Sequence, residues 1–292
     1  MIKKLLVAGL GVVISSGLLF AEPVIPRGDF SAKLAKAAGM PGQFIRIKEE
    51  FPKDYFLVPN NLPFLAGLSL HHPMSSSLGL SKEQIKAILD IKKRTVPPVV
   101  KTSQEIKKLE LKLAQNIAID TNSAKSQYEI VEAIGKKRIE LTKAHLQCIN
   151  DVRAVLTKEQ YKKMLKYATN LVKDKDKKFR IDELVILPHP GKLIKMGKVA
   201  VDKKTKQIIA KDIKSVYAPI FQGKIREAFD LEKQVQRMVA KGKTKDDLKN
   251  ILDKISKLKR EAIDSRIDAL NHMQKVMTKK QWKQVNKFTY KK

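Results

Sequence analysis

The residue types that could do chemistry are few in this chain. There are five histidines (His71, His72, His145, His189 and His272) and a single cysteine, Cys148. No HExxH, no CxxC, no nucleophile elbow and no glycine-rich phosphate loop occurs, so no catalytic constellation can be assembled and the chain reads as non-enzymatic, with no cofactor. Adjacent His71 and His72, with Met74 close by, are the one grouping that could ligate zinc or copper, but two imidazoles and a thioether make an incomplete site. Cys148 stands one helical turn after His145 on an apolar stripe, which predicts a small buried hydrophobe rather than an activated thiol.

The elements that must position any function begin with the N-terminus. Lys3 and Lys4, the uncharged apolar run from Leu5 to Phe20, and Ala21 before Glu22 form the three-part pattern of a secretory signal over residues 1–21. This predicts an exported protein of a bacterial envelope, located in the periplasm, with no transmembrane segment in the mature chain. A lone cysteine permits no internal disulfide, so packing alone must hold the fold. The 60 Lys and Arg against 30 Asp and Glu favour acidic partners through the long-range field. Lysines are spread along helices without Arg clusters or interleaved aromatics, which argues against nucleic acid and for acidic or unfolded proteins and anionic envelope components.

Seven prolines between Pro23 and Pro73 make residues 22–79 an irregular arm, with room for one short helix near Phe30 to Ala38. Regular structure is expected from Leu80. Ser81-Lys82-Glu83-Gln84 is a capping box, with Leu80 before it and Ile85 after it as a hydrophobic staple. The same grammar recurs at Leu156, Thr157 and Gln160, followed by Tyr161, and at Met277, Thr278 and Gln281, followed by Trp282. Pro97 and Pro98 are expected to break the first capped helix. Ile106, Leu109, Leu113 and Ile117 mark an amphipathic helix, and a longer one runs from about Ser126 to Val155.

The second half follows the same plan. After Pro219 a helix carries Phe221, Ile225, Ala228, Leu231 and Val235 until Gly242 ends it, and Thr244 with Asp247 opens the next. Thr157 lies 59 residues after Pro98 and Thr278 lies 59 after Pro219, so a duplicated unit of about 120 residues is expected. The domains are therefore an arm (22–79), a first helical unit (80–168), a join (169–215) and a second helical unit (216–292). Val199-Ala200-Val201 and Gln207-Ile208-Ile209 read either as a small β-hairpin in the join, the preferred reading, or as a degenerate first helix of the second unit.

The three boxes resemble the LTxxQ motif of the Spy/CpxP family of periplasmic proteins, with Ser81 and Met277 departing from the strict pattern. The resemblance covers most of 80–168 and, less fully, 216–292. It implies an all-α fold of bent helical hairpins in two tandem units, which could pack as an internal pseudo-dimer. It further implies a basic, partly apolar face and ATP-independent chaperone or holdase activity. The alternatives are a stress-sensing adaptor that docks on a membrane sensor or envelope component, and a metal-resistance protein. The lysines and arginines suited to holding a client are Lys107, Lys108, Lys112, Lys136, Lys137 and Arg138 in the first unit. In the second they are Lys224, Arg226, Arg237, Lys254, Lys257, Lys259 and Arg260.

Overall fold

The computed structural model describes residues 56–58, 62–72, 74–119, 124–169, 184–185 and 187–290. The signal segment, the helix expected near Phe30 to Ala38, most of the arm and the charged run Lys173 to Lys178 lie outside these residues. Among the described residues every regular element is helical. In chain order they are α1 (Leu65–His71), a 3₁₀ turn (Ser75–Leu78), α2 (Lys82–Ile119), α3 (Tyr128–Val155) and α4 (Lys158–Thr169). Then follow α5 (Pro190–Lys195), α6 (Lys203–Asp212), a π-turn (Ile213–Tyr217), α7 (Ala218–Ala240), α8 (Lys249–Val276) and α9 (Lys279–Tyr290).

Three expectations are corrected. Pro97 and Pro98 do not break the chain, because α2 runs through both as one 38-residue helix. Each proline removes one backbone donor, but both are exposed, so the carbonyls they orphan can turn to water. Meanwhile Ile88, Ile91, Val99 and Ile106 keep one buried stripe across the site. The β-hairpin expected over 199–209 is replaced by α6. The Asp202 carboxylate accepts the Thr205 N–H at 2.8 Å, and only Ile209 of the apolar pair is fully buried, which is helical rather than alternating burial. Lastly, Thr244 and Asp247 exchange capping bonds, but α8 starts at Lys249, so this box closes a turn ahead of the helix.

Helix bounds repeat at a constant interval of 121 residues. The span 82–119 of α2 returns as 203–240, covered by α6, the π-turn and α7, while α3 returns as α8 and α4 as α9. Pro98 returns as Pro219, two residues after the π-turn, whose wider winding eases the clash of a proline ring with the preceding turn.

The chain gathers into two compact units that interleave in sequence. Unit one holds Leu62–Gln104 with Ala144–Lys175, and unit two holds Lys53–Asn61, Glu105–Lys143 and Asp176–Lys292. Unit one closes over Leu65, Leu68, Ile88, Leu146, Ile149, Val152 and Met164, all buried. In unit two, α7 and α8 form a hairpin around Val235, Leu252, Ile255 and Ile263. Gly242 ends α7 at φ 89°, and the Gly242 and Lys243 N–H groups return to Val239 and Met238 in the manner of a Schellman cap. The N-terminal half of α3 crosses α8 at Gly135, where an added Cβ would stand 3.0 Å from Ser256 Oγ. Residues 135 and 256 are counterparts under the 121-residue interval, so the two helices meet at equivalent positions.

Candidate functional site

All three boxes fold as reciprocal caps. Gln84, Gln160 and Gln281 accept from the backbone N–H of Ser81, Thr157 and Thr278 at 3.0, 2.9 and 2.8 Å. The hydroxyls accept the glutamine N–H groups in return at 3.1–3.2 Å. The glutamine side chains also reach across space. In unit one Gln84 Nε2 donates to Val155 O at 2.9 Å and to Gln160 Oε1 at 2.8 Å, and Gln160 Nε2 faces Gly79 O at 3.2 Å. The starts of α2 and α4 are thereby locked at one junction. In unit two Gln281 Nε2 donates to Ala200 O at 3.0 Å, tying the start of α9 to the start of α6. Residue 200 is the counterpart of Gly79, and Asp202 with Thr205 occupies the positions of Ser81 and Gln84. A one-sided cap thus opens α6 in place of a reciprocal box: Asp202 accepts the Thr205 N–H, and Thr205 Oγ1 donates to Asp202 Oδ2 at 2.7 Å.

The basic residues expected to hold a client all fall in unit two. Lys108, Lys112, Lys136, Arg226, Arg237, Lys254 and Lys257 are exposed, and Lys107, Lys137 and Lys224 are half-buried. Lys137 pairs with Glu105 at 2.5 Å, Lys224 with Glu261 at 2.7 Å and Lys254 with Glu227 at 3.2 Å. Arg138 and Lys259 do not belong to a face. Arg138 is 2 % and Lys259 6 % exposed, and they pair at 2.6 Å with the enclosed carboxylates of Glu110 and Glu232. Each also holds a backbone carbonyl, Arg138 that of Leu184 and Lys259 that of Leu57 at 2.6 Å. These two cations are counterparts in α3 and α8, and both anchor a non-helical segment. Arg260 is half-buried, donating to Glu132 and to Tyr128 Oη at 3.0 Å, with its guanidinium 5.0 Å above the Tyr128 ring.

A second counterpart pair was missed from sequence. In unit one His145 is buried, stacks on Phe64 at 4.3 Å between centroids and lies 3.1 Å from Pro63 O through Nε2. Burial pushes its pKa down to about 4, so the ring is neutral and Nε2–H donates. In unit two Arg266 donates to Pro188 O at 2.9 Å beside His189. Both contacts span residues far apart in sequence, and periodicity alone carries no sign of them.

Cys148 is half-buried, and desolvation raises its thiol to about 11, with a Thr95 hydrogen bond opposing the shift. His71 Nε2 faces the Lys92 ammonium at 3.3 Å, and His72 Nδ1 accepts the Met74 N–H at 3.0 Å. Burial and Lys92 lower the His71 pKa. A metal ion approaching His71 Nε2 would meet that ammonium first. Among the described residues no group of three or more His, Cys, Asp or Glu side chains converges on a metal-sized site. No helix among them is long and apolar enough to cross a membrane.

Large apolar side chains remain uncovered. Val216 and Ile220 are 51 % and 47 % exposed, one turn apart across the π-turn and the start of α7, and Ile85 and Leu89 stand likewise on α2. Compared with protein-family models, curated proteins and solved structures, the chain finds no match.

Proposed function

We propose that the protein is a periplasmic, ATP-independent holdase that binds unfolded or acidic clients without catalysis. The observation that carries this reading is the adjacency of exposed apolar side chains and exposed cations on one helical stretch of unit two. Val216 and Ile220 lie among Lys211, Lys214 and Arg226, all solvent-facing. Positive charge speeds the encounter with an acidic chain, and the small apolar stripe then holds it through brief contacts. The boxes, which resemble those of Spy/CpxP proteins, fix the ends of the helices that carry this surface. Export rests on the signal pattern of residues 1–21.

The test is suppression of aggregation of several unrelated denatured proteins at near-equimolar ratio. Protection is expected, decreasing as salt screens the encounter and decreasing further in a V216S/I220S variant of unchanged helicity. No protection, together with capture of one defined envelope protein, would replace the holdase with an adaptor.

A further inference from the structure

Independently of client holding, we propose that unit two carries a docking surface for anionic lipid headgroups, built from α5 and the first turns of α6 and α9. The Gln281–Ala200 hydrogen bond and the packing of α5 on α9 bring these three pieces together. Lys203 and Lys204 open α6, and Lys279 and Lys280 open α9, all exposed. Lys192, Lys195 and Lys198 project from α5 and the turn after it. Among the described residues none of these seven lysines makes an ion pair. The neighbouring acid, Asp202, is committed to Thr205.

Folding does not require this charge. The corresponding junction in unit one is built on the same caps, yet it carries Glu83 where this one has Lys204 and Glu159 where it has Lys280. Glutamate in a first turn complements the helix dipole, whereas lysine there opposes it. The sequence thus accepts a local cost at two equivalent positions: Glu83 and Glu159 offset Lys82 and Lys158 at one junction, while Lys204 and Lys280 add to Lys203 and Lys279 at the other. Lysines are strongly hydrated point charges with no preset fork geometry, which suits mobile headgroups better than one fixed anion. In their midst Met196 is 57 % exposed, an unbranched apolar side chain that can enter the headgroup layer while the lysines meet the phosphates.

The experiment is co-sedimentation of the mature chain with phosphatidylcholine vesicles, alone or with a third phosphatidylglycerol. Binding is expected only with the anionic vesicles and only at low salt. The variant K203E/K204E/K279E/K280E should bind roughly a hundredfold more weakly or worse, since each surface-facing lysine contributes substantially to such attraction. It should still fold, because glutamate at 83 and 159 already occupies the counterparts of 204 and 280, and acidic residues suit the first turn of a helix; a circular dichroism melt at or slightly above that of the unaltered protein verifies this. The control K82E/K86E/K158E/K162E reverses the same number of charges at the other junction and should retain most of the binding. M196S should weaken binding severalfold. Equal loss in the two quadruple variants, or equal binding to neutral vesicles, would overturn the proposal. So would absence of vesicle binding alongside lysine-dependent binding of polyglutamate, which would make the surface a receptor for acidic polypeptide.

Discussion

His145 in unit one and Arg266 in unit two are counterparts, 121 residues apart, that perform one task with different chemistry. Each lies buried in a helix and holds a proline carbonyl of the segment leading into its repeat, Pro63 O and Pro188 O. The histidine does so as a neutral ring, while arginine remains charged at any ordinary pH. A comparable contact is therefore titratable in one unit and permanent in the other, although the carbonyl held is not the counterpart residue: Pro63 corresponds to position 184 and not to Pro188. The junctions differ in a similar way. Unit one interlocks two glutamine amides; unit two joins one glutamine to a backbone carbonyl and opens α6 with a one-sided Asp202–Thr205 cap. Position within the repeat fixes the geometric task, and the residue type only sets how it is met.

The sharpest way to break this equivalence is to remove one carboxylate from a buried pair. Glu110→Leu should destabilise the protein by about 3–5 kcal/mol in urea denaturation, because Arg138 would be left charged and enclosed. Glu232→Leu should cost less, since the Lys259–Glu232 pair is less tightly enclosed and the flexible lysine stem can carry its ammonium towards water. Equal losses would show that the two cations are interchangeable. In either repeat, replacing both partners by apolar residues of similar volume should recover much of the loss.

Acid provides the next largest contrast. The folded-state pKa of His145 is depressed to about 4, so the unfolded chain binds the extra proton between the ordinary value near 6.5 and that point. Stability from this group is fully present above about pH 6.5 and is lost as pH falls towards 4, by about 3 kcal/mol. His145→Gln should flatten that part of the pH profile, and Arg266→Gln should leave its slope unchanged while lowering the whole curve. A wild-type profile indistinguishable from that of His145→Gln would contradict the buried neutral ring.

Smaller effects separate the junctions. Gln84→Ala and Gln160→Ala should each cost about 1–2 kcal/mol, and the double variant should cost less than their sum because they share a hydrogen bond. Gln281→Ala should add simply to either one. Smallest of all, Lys204→Glu and Lys280→Glu should slightly raise the melting temperature, whereas Glu83→Lys and Glu159→Lys should slightly lower it.

The caps were legible in the sequence because each donor and acceptor lies within four residues of its partner. The hairpin of α7 and α8 was legible because Ile225, Val235, Ile255 and Ile263 keep a helical period. What sequence could not supply were partners set by packing. Arg138 and Lys259 read as surface cations because nothing local announces that Glu110 and Glu232 will be enclosed beside them. The cap that opens α6 does not read as a box because Asp202 and Thr205 exchange the residue classes that the pattern requires. Pro97 and Pro98 suggested a break, and only the unbroken stripe from Ile91 to Val99 reveals why the helix survives.

Trp282 is the only tryptophan in the sequence, and its position gives that fact a use. It is 6 % exposed in unit two, with Nε1–H donating to Ala118 O at 3.0 Å, so the start of α9 is seated on the end of α2. Ala118 belongs to the first repeat and Trp282 to the second. Intrinsic fluorescence excited at the indole band therefore reads out one event, the engagement of the two repeats in unit two. A red shift of emission would mark their parting even while every helix remained wound.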